Sequence, residues 1–285
     1  MPELPEVETI RRGLIANIIN KKISGLEIRK SKLVKNNDQV FKSVLKNKSI
    51  VNISRIGKLL IFELSGDKFL FLIHLKMTGQ LIYVDKSFVL AGGHSFKQPD
   101  ILPNKFSHVI FSFADGSKLF FNDLRQFGYL RLLKKSELKR VKDNFGIEPG
   151  QNNFNLENFS AIFENKKIKL KALLLNQKLI AGLGNIYADE VCWRAGLRPD
   201  RVVNSLSKAE IKKLFLATNY IIKKAIAKRG TTFSDYRDAQ NKKGNFSKYL
   251  KVYGRQGEKC QRCNFPIKKL KLVGRGTHFC PNCQK

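Results

Sequence analysis

The residues that follow Met1 are Pro2-Glu3-Leu4-Pro5-Glu6, and they set a potential nucleophile beside a potential acid. Trimming of methionine before a small residue such as proline leaves Pro2 with a free secondary amine. An α-amino group titrates at about 7.7–8, so a useful fraction is neutral near pH 7. A neutral amine attacks sugar or carbonyl carbons to give a Schiff base. A secondary amine gives a cationic iminium, which is an electron sink for later eliminations. Glu3 is the adjacent carboxyl, placed for proton transfer. The same six residues also suit an ordinary helix start, where proline and early glutamates are favoured.

A second constellation closes the chain. Four of the five cysteines form Cys260-x2-Cys263-x16-Cys280-x2-Cys283. That spacing predicts a four-thiolate zinc site built from two knuckles, with no coordination position left for water, so one structural Zn²⁺ is expected. Paired disulfides are the competing reading, and a reducing compartment disfavours it. Cys192 stands apart in an apolar helical context and reads as a core residue. Between the cysteine pairs lies Gly274-Arg275-Gly276. Its glycines suit a hairpin tip, and an arginine held there is matched to bidentate phosphate recognition.

The charge says what such sites work on. Across 285 residues, 54 Lys+Arg against 23 Asp+Glu give a net charge of +31, spread along the chain. A hydrophobic content of 42% supports real cores, so this is no disordered basic tail. A folded protein with this excess implies a polyanionic partner, most simply nucleic acid. No long basic amphipathic helix supports a membrane-surface role, and no apolar run approaches the roughly 18 residues of a spanning helix. The acidic N-terminus does not read as a secretory signal, and a cytoplasmic location is expected.

Positioning these groups falls to two kinds of element. Val7, Ile10, Leu14 and Ile18 predict a helix from residue 4 to about 18. From 23 to 133 the pattern changes to short strands at 59–64, 69–73, 109–113 and 118–121, with Ala114-Asp115-Gly116-Ser117 as a hairpin turn. Strands without intervening helices predict an antiparallel sandwich or barrel-like domain, interrupted by an irregular insertion over 87–104. After residue 150 the period becomes helical, with helices expected over 156–164, 170–175, 185–195 and 207–228. The fold class is α+β. Domains are expected at 1–134, a linker at 135–150, a helical domain at 151–250 and the zinc module at 251–285. Gly182-x-Gly184-Asn185 before a helix offers backbone amides and a helix dipole to a phosphate, or else is a tight turn.

Pro2-Glu3-Leu4-Pro5-Glu6-Val7-Glu8-Thr9, Gly182-Leu183-Gly184-Asn185-Ile186-Tyr187 and the four-cysteine finger, in this order, resemble bacterial formamidopyrimidine-DNA glycosylase over essentially the full length. The resemblance implies a β-sandwich joined to a helix–two-turn–helix domain and a zinc-finger hairpin, acting as a monomer on damaged duplex DNA. It implies a catalytic Lys58, which by itself would read as a solvated strand-edge lysine. It makes Arg275 a late-step catalytic residue, Glu6 a pocket residue, and Asn185, Lys167 and Lys171 phosphate contacts; without it, both lysines read as a solvated basic face. Base removal requires flipping, and the vacated space must be refilled. Met77, Arg125 and Phe127 take that role by resemblance, from His74-Leu75-Lys76-Met77-Thr78-Gly79 and Asp123-Leu124-Arg125-Gln126-Phe127-Gly128. Period-two spacing puts Arg125 and Phe127 on one side of an extended segment. His74 belongs with these DNA-binding residues, and His108 reads as a DNA-facing or a buried histidine. The 230–247 loop is a candidate lid.

The chain departs from the family pattern at Leu124, Gln126, Lys76 and Arg229, the last two standing where glycine is common. The expected activity is excision of oxidised purines, 8-oxoguanine and formamidopyrimidines, followed by β,δ-elimination at the abasic site. An endonuclease VIII-type enzyme for oxidised pyrimidines is the near rival, disfavoured by Leu4, where that branch usually carries glycine. A non-catalytic nucleic-acid-binding zinc protein fits the charge and the finger but leaves Pro2-Glu3, Lys58 and Arg275 without work.

Overall fold

The computed structural model describes residues 1–66, 68–86, 89–93, 101–231 and 245–285. The chain divides into two compact units, Met1–Lys142 with Lys228–Ser247, and Asp143–Ala227 with Lys248–Lys285. Among the described residues, no helix is long and apolar enough to cross a membrane.

The first unit opens with α1 (Leu4–Ile18), whose Val7, Ile10, Leu14 and Ile18 are all buried. Apolar side chains at three- and four-residue spacing share one helical face, and that face joins the main core. Two antiparallel sheets complete it. One runs in the order β1 (Ile23–Ile28), β7 (Ser107–Phe113), β8 (Lys118–Asp123), β5 (Gly79–Val84), β6 (Val89–Gly93). The other runs β2 (Ile50–Ile56), β3 (Leu59–Leu64), β4 (Phe69–His74), β9 (Tyr129–Lys134). Phe71 of β4 stacks on Phe62 of β3 at 4.6 Å and on Phe111 of β7 at 5.6 Å, so one phenylalanine ladder joins the two sheets. This is the expected sandwich.

Two elements depart from expectation. Asp38–Leu45 is a helix, α2, inside the stretch that reads as strands. Only Phe41 and Leu45 mark its buried face, too few to announce a period, while the Asn37 side chain caps it by accepting from the Gln39 and Val40 amides. Strand β6 falls within the 87–104 insertion and pairs with β5; residues 87, 88 and 94–100 of that insertion lie outside the described residues. A short helix, α3 (Leu138–Lys142), ends this part of the unit.

The second unit contains α4 (Leu156–Ala161), α5 (Leu170–Leu175), α6 (Asn185–Ala195), α7 (Lys208–Ala227) and the hairpin β10 (Lys268–Leu272)–β11 (Arg275–Phe279). Helix α4 stops short of residue 164 because Phe163 and Glu164 bond three residues back, to Ser160 and Ala161, tightening the last turn. A reciprocal cap starts α7: Ser207 N–H donates to Glu210 at 2.8 Å and Glu210 N–H to the Ser207 hydroxyl at 3.3 Å. Cys192 is fully buried in α6, as its context implies, and burial pushes its thiol well above the ordinary range.

Candidate functional site

In the first unit, Pro2, Glu3 and Glu6 are all buried, Glu3 at 2% and Glu6 at 5% exposed. With Met1 present the Pro2 nitrogen is a peptide amide, so its place is fixed while its reactive form awaits trimming. Glu6 organises this terminus. Its Oε2 accepts from the Glu3 N–H at 2.9 Å, and its Oε1 accepts from the Thr231 N–H at 2.7 Å and hydroxyl at 3.0 Å. The carboxylate thus joins the start of the chain to residue 231. Gly230 has φ +79°, and a Cβ there would lie 2.5 Å from Glu6 Oε1, so only glycine lets the backbone approach. The candidate lid begins just beyond, and its residues 232–244 lie outside the described residues.

Glu8, which sequence reasoning passed over, links α1 to the lysine strand. It accepts from Arg11 and Arg12 on its own helix and from Arg55 Nε at 3.2 Å. Burial alone would raise its pKa, but the Arg11 and Arg12 hydrogen bonds and the Arg55 charge hold the carboxyl at about 2. Arg55 in turn donates to the Gly57 carbonyl at 2.9 Å, fixing the turn that delivers Lys58, itself 6% exposed. Across the sheet, His74 pairs in register with Leu59, the residue after Lys58. Burial first, then the charges of Lys76 and Lys58, push the His74 pKa down to about 3. Its Nδ1 accepts from the Lys76 N–H at 2.9 Å, so the neutral ring carries its proton on Nε2 and can donate but brings no charge.

Met77, Arg125 and Phe127 come together on two neighbouring loops. The Arg125 guanidinium lies 4.8 Å from the Phe127 ring centroid, and its Nη1 is 3.2 Å from Met77 Sδ. Phe127 is 52% exposed, so its ring is available at the surface. Buried Asp123 builds this platform. It accepts from the Thr78 hydroxyl and from the Gly128 N–H at 2.7 Å, while Thr78 Oγ1 accepts from the Arg125 N–H at 2.9 Å. His108 is a buried residue at 4% exposed, with Nε2 bonded to the Asp123 carbonyl at 2.8 Å. A carbonyl only accepts, so Nε2–H is the donor and the neutral ring leaves Nδ1 as an acceptor edge. The departures have a backbone meaning: Lys76 (φ 50°), Gln126 (φ 56°) and Arg229 (φ 62°) are left-handed, which explains glycine as the usual residue at the first and third.

The second unit holds the remaining candidates. Lys167 is exposed and free to reach a phosphate in solution. Lys171 is not, contrary to the expected phosphate contact. It is fully buried, with Nζ donating to Asp189 Oδ1 at 2.6 Å, Thr277 Oγ1 at 2.8 Å and the Gly276 carbonyl at 3.2 Å. An ammonium has three protons, and all three are spent. Asn185, the first residue of α6, also donates to the Gly276 carbonyl, at 3.0 Å. Its side chain therefore fastens the finger hairpin, and one amide proton remains for a phosphate. Arg275 is exposed at the first position of β11. The turn itself is Val273 (φ 45°) and Gly274 (φ 73°), a two-residue turn of the mirror-image type, so the arginine sits one step below the predicted tip.

Cys260, Cys263, Cys280 and Cys283 present four sulfurs all within 4.8 Å of one another, with none joined in a disulfide. Two of the separations are 3.9 and 3.5 Å. A tetrahedral ion with bonds of about 2.3 Å requires sulfurs roughly 3.8 Å apart, so the cage fits zinc. The site connects to α6 through Glu190, fully buried, whose carboxylate accepts from the backbone N–H groups of Lys251, Val252 and Tyr253.

Comparison with known proteins agrees with this geometry along the whole chain. Residues 1–130 match the formamidopyrimidine-DNA glycosylase N-terminal domain, 145–237 the H2TH domain of the same enzyme, and 257–285 the zinc finger found in FPG and IleRS. The formamidopyrimidine-DNA glycosylases of Desulfitobacterium hafniense and Streptococcus mutans are 39% and 40% identical to it, with full coverage of both chains in each case. A Lactococcus lactis enzyme solved with Fapy-dG containing DNA superposes with a TM-score of 0.88 at 37% identity, covering all of both chains. A complex of the Lactococcus lactis enzyme with an abasic site containing DNA gives 0.88 over 99% of each. Three domain models in order and end-to-end identity near 40% leave one assignment: the chain belongs to the formamidopyrimidine-DNA glycosylase family.

Proposed function

We propose that this protein is a base-excision DNA glycosylase and abasic-site lyase that removes 8-oxoguanine and formamidopyrimidines from duplex DNA. The observation that carries the reading is the buried Pro2-Glu3 terminus, ordered by Glu6, in a chain matched from end to end by enzymes of this family. Trimmed of Met1, Pro2 attacks C1′ of the damaged nucleotide with its nitrogen lone pair. The glycosidic C–N bond breaks as the base departs, while Glu3 protonates the ring oxygen and opens the deoxyribose. The iminium then acidifies the C2′ proton, and its removal expels the 3′ phosphate by β-elimination. With Arg275 on the remaining phosphate, loss of the C4′ proton breaks the C5′–O bond and expels that phosphate, freeing the sugar fragment from the already cut strand. Lys58 serves proton transfer or phosphate contact in these steps. Glu6 holds the pocket.

The DNA side follows from charge and shape. Lys167, Asn185 and His74 meet phosphates, which fixes position without reading sequence, and His108 faces the DNA with its Nδ1 acceptor edge. Met77, Arg125 and Phe127 enter the stack where the damaged nucleotide has left, with Arg125 facing the orphaned base. The 230–247 loop, whose residues 232–244 lie outside the described residues, is the candidate lid over the extruded base. The zinc ion, held by Cys260, Cys263, Cys280 and Cys283, fixes the base of the hairpin that carries Arg275 and takes no part in bond making. Reduced cysteines suited to zinc and a DNA substrate support a bacterial cytoplasmic enzyme that associates with the nucleoid through DNA binding.

Borohydride reduction tests the reading directly. Damaged duplex incubated with the trimmed enzyme should yield a covalent adduct that Pro2→Gly abolishes or sharply reduces. An adduct undiminished in that variant sinks it, and stronger excision of thymine glycol than of 8-oxoguanine moves the substrate to oxidised pyrimidines.

A further inference from the structure

The charged cluster between α5, α6 and β11 has no role in the chemistry above, yet it ends on the backbone of Arg275. Asp189 is 0% exposed and uses both carboxylate oxygens: Oδ1 accepts from Lys171, and Oδ2 accepts from the His278 N–H at 2.9 Å with the His278 ring 3.4 Å away. Lys171 passes the connection on to the Gly276 carbonyl and the Thr277 hydroxyl. That hydroxyl, itself 0% exposed, donates to the Arg275 carbonyl at 3.2 Å. The Gly276 carbonyl is thus held directly from α5 by Lys171 and from α6 by Asn185, and the Arg275 carbonyl indirectly, through the Thr277 hydroxyl that Lys171 bonds.

We propose that Asp189 is a positioning residue for Arg275, acting through Lys171 and Thr277; this rests on the reading that Arg275 serves the second elimination. The strand ladder and the zinc knuckles fix the finger's internal shape, but neither reaches residues 275–277 from the helices. Arginine has a long, many-rotamer side chain, so where its guanidinium can go is decided by where its backbone is held. A buried ion pair rarely repays its desolvation in stability alone, and conformational specificity is the better account of one that ends on a functional residue.

The test is a single-turnover assay of the zinc-loaded full chain on an abasic duplex, resolving β- from δ-elimination products, with borohydride adduct yield measured in parallel. Thr277→Val, which keeps the shape and removes the hydroxyl, should lower the δ:β product ratio at least fivefold. Its adduct yield should stay within twofold of wild type. Thr277→Ser should restore the ratio, and Asp189→Asn should reproduce the Val phenotype. Arg275→Ala provides the reference. If it lowers the ratio while Thr277→Val does not, the positioning role is overturned and the reading of Arg275 stands. If Arg275→Ala leaves the ratio unchanged, the reading of Arg275 itself falls. Equal loss of adduct and of both products in Thr277→Val shows a merely structural contact and also overturns the proposal. Thermal melts identify a variant that fails to fold, and should Asp189→Asn be one, the two Thr277 variants decide.

Discussion

The first unit sets its working groups on a broad apolar core and adjusts them with single buried carboxylates, whereas the second relies on buried charge and sulfur with little apolar core beneath. In the sandwich, a phenylalanine ladder and two facing sheets make a continuous core, and Glu3, Glu6 and Lys58 sit against it on helix and strand ends. In the second unit the hairpin bearing Arg275 rests on a small cluster of Trp193, Val252, Cys260, Ile267 and Cys280, too few side chains to order it by burial alone. Its fixed points are four thiolates, the Lys171–Asp189 pair and the Glu190 carboxylate. Apolar cores hold large elements broadly; hydrogen-bonded charges hold single carbonyls. The nucleophile draws on both kinds of support, while a phosphate clamp on a short hairpin depends on the second.

Removing the metal should break this comparison most sharply. Structural zinc contributes on the order of 10–16 kcal/mol to small finger peptides. A strong chelator, or Cys263→Ser, should therefore unfold the hairpin and cut strand cleavage by at least about 100-fold. The sandwich should keep its own cooperative melt, checked by NMR and calorimetry, and a hairpin that keeps its shifts without metal would refute the division. Phe71→Ala should do the converse. It should cost about 3–5 kcal/mol in urea unfolding of the first unit, as expected for a deleted core ring, and leave zinc affinity alone.

A smaller effect concerns a dense charge cluster on the sandwich side. Glu8 has a folded pKa depressed to about 2, so its stabilisation is full above the ordinary carboxylate range and is lost as pH falls toward 2. Glu8→Gln should lose roughly 1–3 kcal/mol at pH 7. The gap from wild type should narrow steadily below pH 4.5, and a gap independent of pH would remove the carboxylate from the account. Smallest of all, Lys76→Gly relieves a left-handed lysine worth about 1 kcal/mol but adds chain entropy to the unfolded state. A melting shift of a degree or two upward, or none, is expected; a large loss would mean the Lys76 side chain is needed.

What could be read in the sequence was whatever local spacing encodes. The two cysteine pairs, the proline–glutamate start, the glycine–asparagine helix entry and the helices at 170–175 and 185–195 all lie within short windows, and the structure returns them closely. Residues whose meaning depends on distant partners were not legible. Asp189 meets His278 across 89 residues, Thr78 supports Arg125 across 47, and Glu190 meets Val252 across 62. Lys171 shows the limit most plainly. In a chain of +31 another lysine looks like another solvated charge, and only the packing of α5 against α6 and β11 turns it inward. Helix α2 escaped notice for the opposite reason, since two turns offer too few apolar repeats to show a period.

The first unit is assembled from two stretches of chain separated by most of the helical region, and Glu6 meets Thr231 only after 225 residues. A protein made from its amino end therefore exposes Pro2 to the cell long before the carboxylate beside it finds its last partners. Until residue 231 has left the ribosome, the nascent chain carries an amine without a finished pocket. The order of the amino terminus is thus completed only when most of the chain has been made.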